Sequence, residues 1–285
     1  MSCTPKTFNS LILSSILISF LTNCTAQSMD STVSTTNSDV EINSVGQIPA
    51  PDGYERQHVD SVHIGHYLRN LSLKKDKHVY LYNGDLKYNQ SAQYAVIDID
   101  VGDKDLQQCA DATMRLRAEH LFQTGKHDDI AFHFTSGHLA KWTQYAKGYR
   151  AKINGSNVTW VKTASSDTSY DNFRRYMNLV FSYCGTRSMD KEVAPISAKD
   201  IEIGDVFHQT GNPYGHAVTV MDVAIDSAGN TCFMLSQSYM PAQSIHILKN
   251  PNNSELSPWY TITDNVALIT PEWTFPAGSL KRWKD

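Results

Sequence analysis

Apolar and polar positions change their spacing several times along the 285-residue chain. Residues 11–21 (LILSSILISFL) form one apolar run behind Lys6. It has the length of a signal-peptide core and falls short of the roughly 20 residues that a membrane-spanning helix needs. Residues 25–48 are rich in Ser, Thr and Asn and show no period, which predicts a flexible tether. Regular patterns begin at Pro49. Runs of β-branched and aromatic residues predict strands at 78–82 (HVYLY), 94–101 (YAVIDIDV), 130–134, 205–208, 216–225, 232–238 and 245–248, with a further short one around Leu268. The DSAGN stretch at 226–230 reads as the turn of a hairpin. One helix is expected to start at an Asp105 N-cap and to run through LQQCADATMRLRAEHLF to a stop near Gly125. Another, over 169–184, places Phe173, Tyr176, Met177, Val180, Phe181 and Cys184 on one stripe at i, i+3, i+4, i+7, i+8 and i+11, with Gly185 as its cap. A shorter helix is expected within 138–150. Strands and helices do not alternate, so the pattern predicts a single α+β domain over 49–285, with an antiparallel sheet and a few packed helices.

Charge and cysteine usage narrow the picture. The formal net charge of −4 and the lack of a basic stripe argue against a nucleic-acid partner. The apolar run ends in LTNC, which resembles the lipobox of bacterial lipoproteins and makes Cys24 the candidate for lipidation and membrane anchoring. Asn23 departs from the small residue usual before that cysteine, so cleavage after Ala26 to give a secreted form is the alternative. Residues 1–24 are therefore expected to be a signal peptide, and the mature protein is expected in the periplasm, at the outer membrane or outside the cell. Cys109, Cys184 and Cys232 remain, an odd number without a CxxC pair, which excludes zinc-ribbon and thioredoxin readings.

The stretch IEIGDVFHQTGNPYGHAVTVMDVAID carries the most chemistry. A GD leading into a short strand, followed by a GH that opens a long one, resembles the second half of papain-like cysteine hydrolases of the cell-wall peptidase type. The resemblance makes His216 the general base and implies an upstream cysteine at a helix start, where the helix dipole favours a thiolate. Cys109 in QQCADA is the matching residue. Gln237, in SQSYM on the next strand, is the candidate to orient the imidazole, and Gln108 or Gln107 could donate to an oxyanion. Each residue also has a plainer account: Cys109 as a core thiol beside Leu106, Ala110, Thr113 and Leu116, and His216 as a hydrogen-bonded ring at a hairpin mouth. The histidines at 58, 63, 66 and 78 and the acidic run at 98, 100, 103 and 105 lack metal-site spacing, so no metal or other cofactor is expected. Trp142, Tyr145, Tyr149, Trp160, Trp259, Tyr260 and Trp273 could line a groove for sugar or peptide, or fill the edge of a core.

The motifs YLRNLSLK, HVYLYNGDLKYNQ, AVIDIDVGDKDLQQCADATMRLRAEHLF, FHFTSG, GDVFHQTGNPYGHAVTVMDVA, LSQSYMPAQSIHILKNPN, SPWY and TPEWTF together resemble domain-of-unknown-function family 4846 of exported Bacteroidetes proteins, over residues 51–281. That resemblance implies an exported protein, often a lipoprotein, and carries no activity with it. The residues themselves point to a cysteine hydrolase acting on an amide bond, such as one in cell-wall peptide. The alternative is a non-catalytic envelope protein that binds glycan or peptide, or acts as a scaffold.

Overall fold

The computed structural model describes residues 41–284, and the fold is α+β. The Cys24 expectation lies outside the described residues. Among them, nine strands form one antiparallel sheet: β1 (Tyr54–Arg56), β2 (Gln93–Val96), β3 (Val193–Pro195), β4 (Val206–Gln209), β5 (His216–Asp226), β6 (Thr231–Gln237), β7 (His246–Leu248), β8 (Trp259–Tyr260) and β9 (Leu280–Trp283). The order across the sheet is β2-β7-β6-β5-β4-β9-β3, with β1 added to the far end of β5 and β8 to β6. The expected hairpin is β5–β6. Its turn is held by the Asp226 carboxylate, which accepts the N–H groups of Ala228 (2.9 Å) and Asn230 (2.8 Å). β5 is buried for nine of its eleven residues. Its near-continuous apolar sequence fits a strand covered on both faces. Its one buried carboxylate, Asp222, is met by Arg56 Nε (2.6 Å) and by Arg69 Nη2 (2.6 Å).

The described part also holds three two-stranded sheets (Ala131–His133 with Leu139–Lys141, Tyr149–Asn154 with Asn157–Lys162, Leu268–Ile269 with Thr274–Phe275) and five helices: α1 (Ile64–Arg69), α2 (Cys109–Gln123), α3 (Trp142–Ala146), α4 (Tyr170–Tyr183) and α5 (Thr186–Met189). α4 lies where the stripe places it and is capped by Ser169 Oγ, which accepts the Asn172 N–H at 3.3 Å. α2 starts later than expected. Gln108, in extended conformation, is its N-cap, and its backbone N–H donates to Asp111 Oδ2 (3.1 Å). Asp105 instead accepts from Gln108 Nε2 (3.0 Å) and from the Ala242 N–H (2.7 Å), tying the approach to the helix onto a distant loop. The HVYLY segment does not make a regular strand. It folds back through Asn83–Gly84, and Tyr80 bridges Leu86 while Leu81 bridges Gln243. Val45 and Ile48, within the expected tether, are fully buried, so the folded body starts before Pro49.

Two cores flank α2. Ala112 and Leu116 join the sheet core with Val218, Val220 and Leu235. Ala110, Met114, Ala118 and Leu121 join a second core with Trp142, Phe173, Tyr176 and Met177 from α3 and α4. A helix enclosed on both sides delivers its first residue to the interior, beside the start of β5. That position defines the site.

Candidate functional site

Cys109 is the first residue of α2, and its residue exposure is 6%. Its Sγ lies 4.0 Å from the Gly215 carbonyl oxygen, and the Ala217 N–H points at it. The sulfur thus rests against the backbone on both sides of His216. Among the described residues no hydrogen bond joins the sulfur to the imidazole. Burial first, and then the nearby Asp111 carboxyl, push the thiol pKa up to about 11, against the pull of the backbone N–H groups of Ala217, Ala110 and Cys109 itself. The resting thiol is therefore protonated at neutral pH.

Gly215, whose carbonyl meets the sulfur, is itself packed too tightly for a side chain. A Cβ there would sit 2.1 Å from Gln209 O and 2.7 Å from Thr186 Oγ1, so only glycine fits before His216. The GD pair has a structural task. Gly204 has φ +98°, and a Cβ on it would strike Ile64 at 2.6 Å. Asp205 accepts the Glu202 N–H (2.7 Å) and the Arg282 guanidinium (2.8 and 2.9 Å), which fixes the turn into β4.

His216 is 1% exposed at the start of β5 and is walled by aromatic rings: Tyr239 at 4.9 Å, Trp273 at 5.1 Å and Phe275 at 5.6 Å between centroids. Its Nε2 is 3.0 Å from Gln237 Oε1. The orientation of the Gln237 amide follows from its other end. Its Nε2 donates to Glu272 Oε2 at 2.7 Å, and a carboxylate can only accept. Glu272 is in turn paired with Lys87 and accepts from Asn89 Nδ2 at 3.0 Å. The amide oxygen therefore faces the ring, Nε2 of His216 carries the proton, and Nδ1 keeps its lone pair. Burial, aided by the Lys87 charge and opposed by the Gln237 hydrogen bond, lowers the His216 pKa to about 4. Ring and thiol are both neutral at rest.

Cys109 lines a cavity of about 250 Å³ together with Asp111, Cys184, Arg187, Tyr214 and Met240. Gln108 also lines it, with its side-chain amide directed at Asp105; the other candidate, Gln107, is buried and its Oε1 accepts from Arg115. At the helix start, the backbone N–H groups of Cys109 and Ala110 point at the sulfur. Cys184 is the C-cap of α4, Cys232 is buried in β6, and all three thiols are free.

The sequence model of the family described as Domain of unknown function (4846) matches residues 45–282. The chain belongs to that family. No curated protein and no solved structure matches it.

In this member of family 4846, the motifs that carried the resemblance meet around one ring. NGDLKYNQ supplies Lys87 and Asn89, SQSYM supplies Gln237 and Tyr239, and TPEWTF supplies Glu272, Trp273 and Phe275. Sequence reasoning picked out Gln237 and missed Lys87, Asn89 and Glu272. Their signal was a charged residue in each of two motifs with no local partner. Of the seven aromatics weighed for a groove, Trp142, Tyr145, Trp259 and Tyr260 are core residues, and Trp273 packs on His216 while donating to Gln209 Oε1 (3.0 Å).

Proposed function

We propose that this family 4846 domain is a cysteine hydrolase that cleaves an amide bond, with Cys109 as nucleophile, His216 as base and then acid, and Gln237 as the residue that orients the ring. The observation that supports this best is the Gln237 hydrogen bond to Nε2 of His216, with the amide held in that sense by Glu272, because it leaves Nδ1 as the basic nitrogen. Sγ attacks the carbonyl carbon and its proton passes to Nδ1. The tetrahedral oxyanion is met by the N–H groups at the start of α2, in place of the Gln108 side chain. Collapse breaks the C–N bond, Nδ1 returns the proton to the leaving amine, and a thioester remains. Water attacks the thioester, gives a proton to Nδ1, and releases the acid and the thiol. Because both partners are neutral at rest, proton transfer accompanies attack and no thiolate is stored beforehand.

The domain is proposed to act on cell-wall peptide, exported by the signal in residues 1–24 and anchored through Cys24, or secreted after cleavage at Ala26. This part of the reading rests on the sequence. A second reading, a binding cavity with an inert thiol, is favoured by the raised pKa of Cys109. One experiment separates the two. Incubation with muropeptides and simple peptide amides, followed by intact-mass analysis, should trap a thioester on Cys109, and Cys109→Ala should lose about a thousandfold or more in amine release. Full activity in Cys109→Ala would overturn the hydrolase, and saturable muropeptide binding without any thioester would establish the binding reading.

A further inference from the structure

A second cavity lies away from Cys109. It is a groove of about 680 Å³ that shares no lining residue with the cysteine cavity. Its volume falls in the range of small-molecule sites. The apolar part of its lining includes the buried Leu121, Phe132 and Trp283. Arg117 aside, its basic side chains are Lys126, Lys141, Lys191 and Lys284. Among the described residues three lining carboxylates oppose them, Asp128, Asp129 and Glu192, in a chain whose overall balance is acidic. Glu192 is already engaged, since its Oε1 accepts the His133 N–H and lies 2.7 Å from His133 Nδ1. The groove therefore carries a positive excess against the sign of the whole protein.

His120 lines this groove from α2, with its residue 6% exposed. Among the described residues no hydrogen bond reaches its ring, and its neighbour is the Tyr67 ring at 6.1 Å. His63 stands beside it. The Nδ1 of His63 accepts the Gly65 N–H at 2.9 Å, which leaves Nε2 carrying a proton that can be donated. An enclosed imidazole without a partner, a second imidazole with a spare donor, an apolar floor and a cationic rim all ask for the same complement.

We propose that this groove is a binding site for a small ligand that carries a carboxylate or phosphate on an apolar body, with His120 as its central hydrogen-bonding group. The body lies on Leu121, Phe132 and Trp283, while the oxyanion takes hydrogen bonds from His120 and His63 and the field of the surrounding lysines. The electrostatics agree with this. His120 is lowered to about 4 by burial first and then by the positive charges around it, Lys126 foremost. An anion among those charges reverses their effect, so binding draws a proton onto His120.

The test is a titration of the His120 ring by NMR, with inorganic phosphate and N-acetylglutamate as probes, alongside calorimetry. Binding in the millimolar range or tighter is expected, with an upward shift of about one unit or more in the His120 midpoint and about tenfold weaker binding in 0.5 M salt than in 0.05 M. N-acetylglutamine, which has one charge fewer, should bind more weakly. His120→Gln should lose most of the affinity. Should that variant fold poorly, Lys126→Ala with Lys191→Ala changes only exposed side chains and should weaken binding about tenfold. Undisturbed His120 titration at about 20 mM of either probe, or equal affinity in the double lysine variant, would overturn the site.

Discussion

α2 and α4 pack side by side and solve different problems. α4 buries six of its fourteen residues on one stripe, and the other eight are half-buried or exposed. α2 lies between two cores and buries twelve of fifteen, among them Asp111, Arg115, Glu119 and His120. Its polar groups must find partners inside. Arg115 reaches the Asp100 carboxylate (2.7 Å), the Asp100 carbonyl, Gln107 Oε1 and Glu119 (3.3 Å), and Tyr170 Oη from α4 closes the set on Glu119 at 2.7 Å. The contrast teaches where chemistry can sit. A helix with one wet face ends at the surface, whereas an enclosed helix brings its N-terminal N–H groups to an interior cavity, where their field is poorly screened.

Breaking the enclosed network should have the largest effect. Arg115→Met leaves Glu119 buried without its cation and should cost about 4 kcal/mol in urea unfolding. The double replacement Arg115→Met with Glu119→Leu should recover most of that loss, because an apolar pair needs no partners. Equal losses in the single and double variants would show that the charges are not the reason. On α4, Met177→Ala opens a cavity and should cost about 3 kcal/mol, while changes at exposed Ser182 stay within about 0.5 kcal/mol. The response to acid is the net of opposed groups. His120 and His216, held near 4, and His246, held near 3, all lie below the ordinary 6.5. The unfolded chain binds these protons first, so stability falls as pH drops from about 6.5 toward 4, by about 1.4 kcal/mol per unit for each net proton. Asp111 and Asp205, held above the carboxylate range by burial, work in the opposite sense and reduce the net slope. A flat stability curve over that window would mean that the rings are wetter than their burial implies.

The same contrast explains what was legible in the sequence. The α4 stripe was readable because burial and periodicity coincide there. α2 could be found but its start was misplaced, because Asp105 looks like a cap while it serves the Ala242 loop and Gln108 takes the N-cap. β5 and β6 were readable from their composition, and with them the placement of His216 and Gln237 on adjacent strands. The charged end of the site was not, because Lys87 and Glu272 stand in irregular segments and acquire their meaning from each other. The folding back of HVYLY is likewise set by long-range bridges that no local pattern encodes.

The Lys87–Glu272 pair joins positions 185 residues apart. Such a non-local contact carries a larger loop-closure cost than a local one, and the other bonds at this end of the sheet share in meeting it. Together with the His246 ring, whose Nε2 lies 3.4 Å from Gln237 Nε2, it sets which way the Gln237 amide points, and so which nitrogen of His216 holds the proton. A chain clipped ahead of Glu272 would keep thiol, imidazole and His246 but lose the carboxylate half of that setting, so the protonation of one ring is tied to a segment far along the sequence.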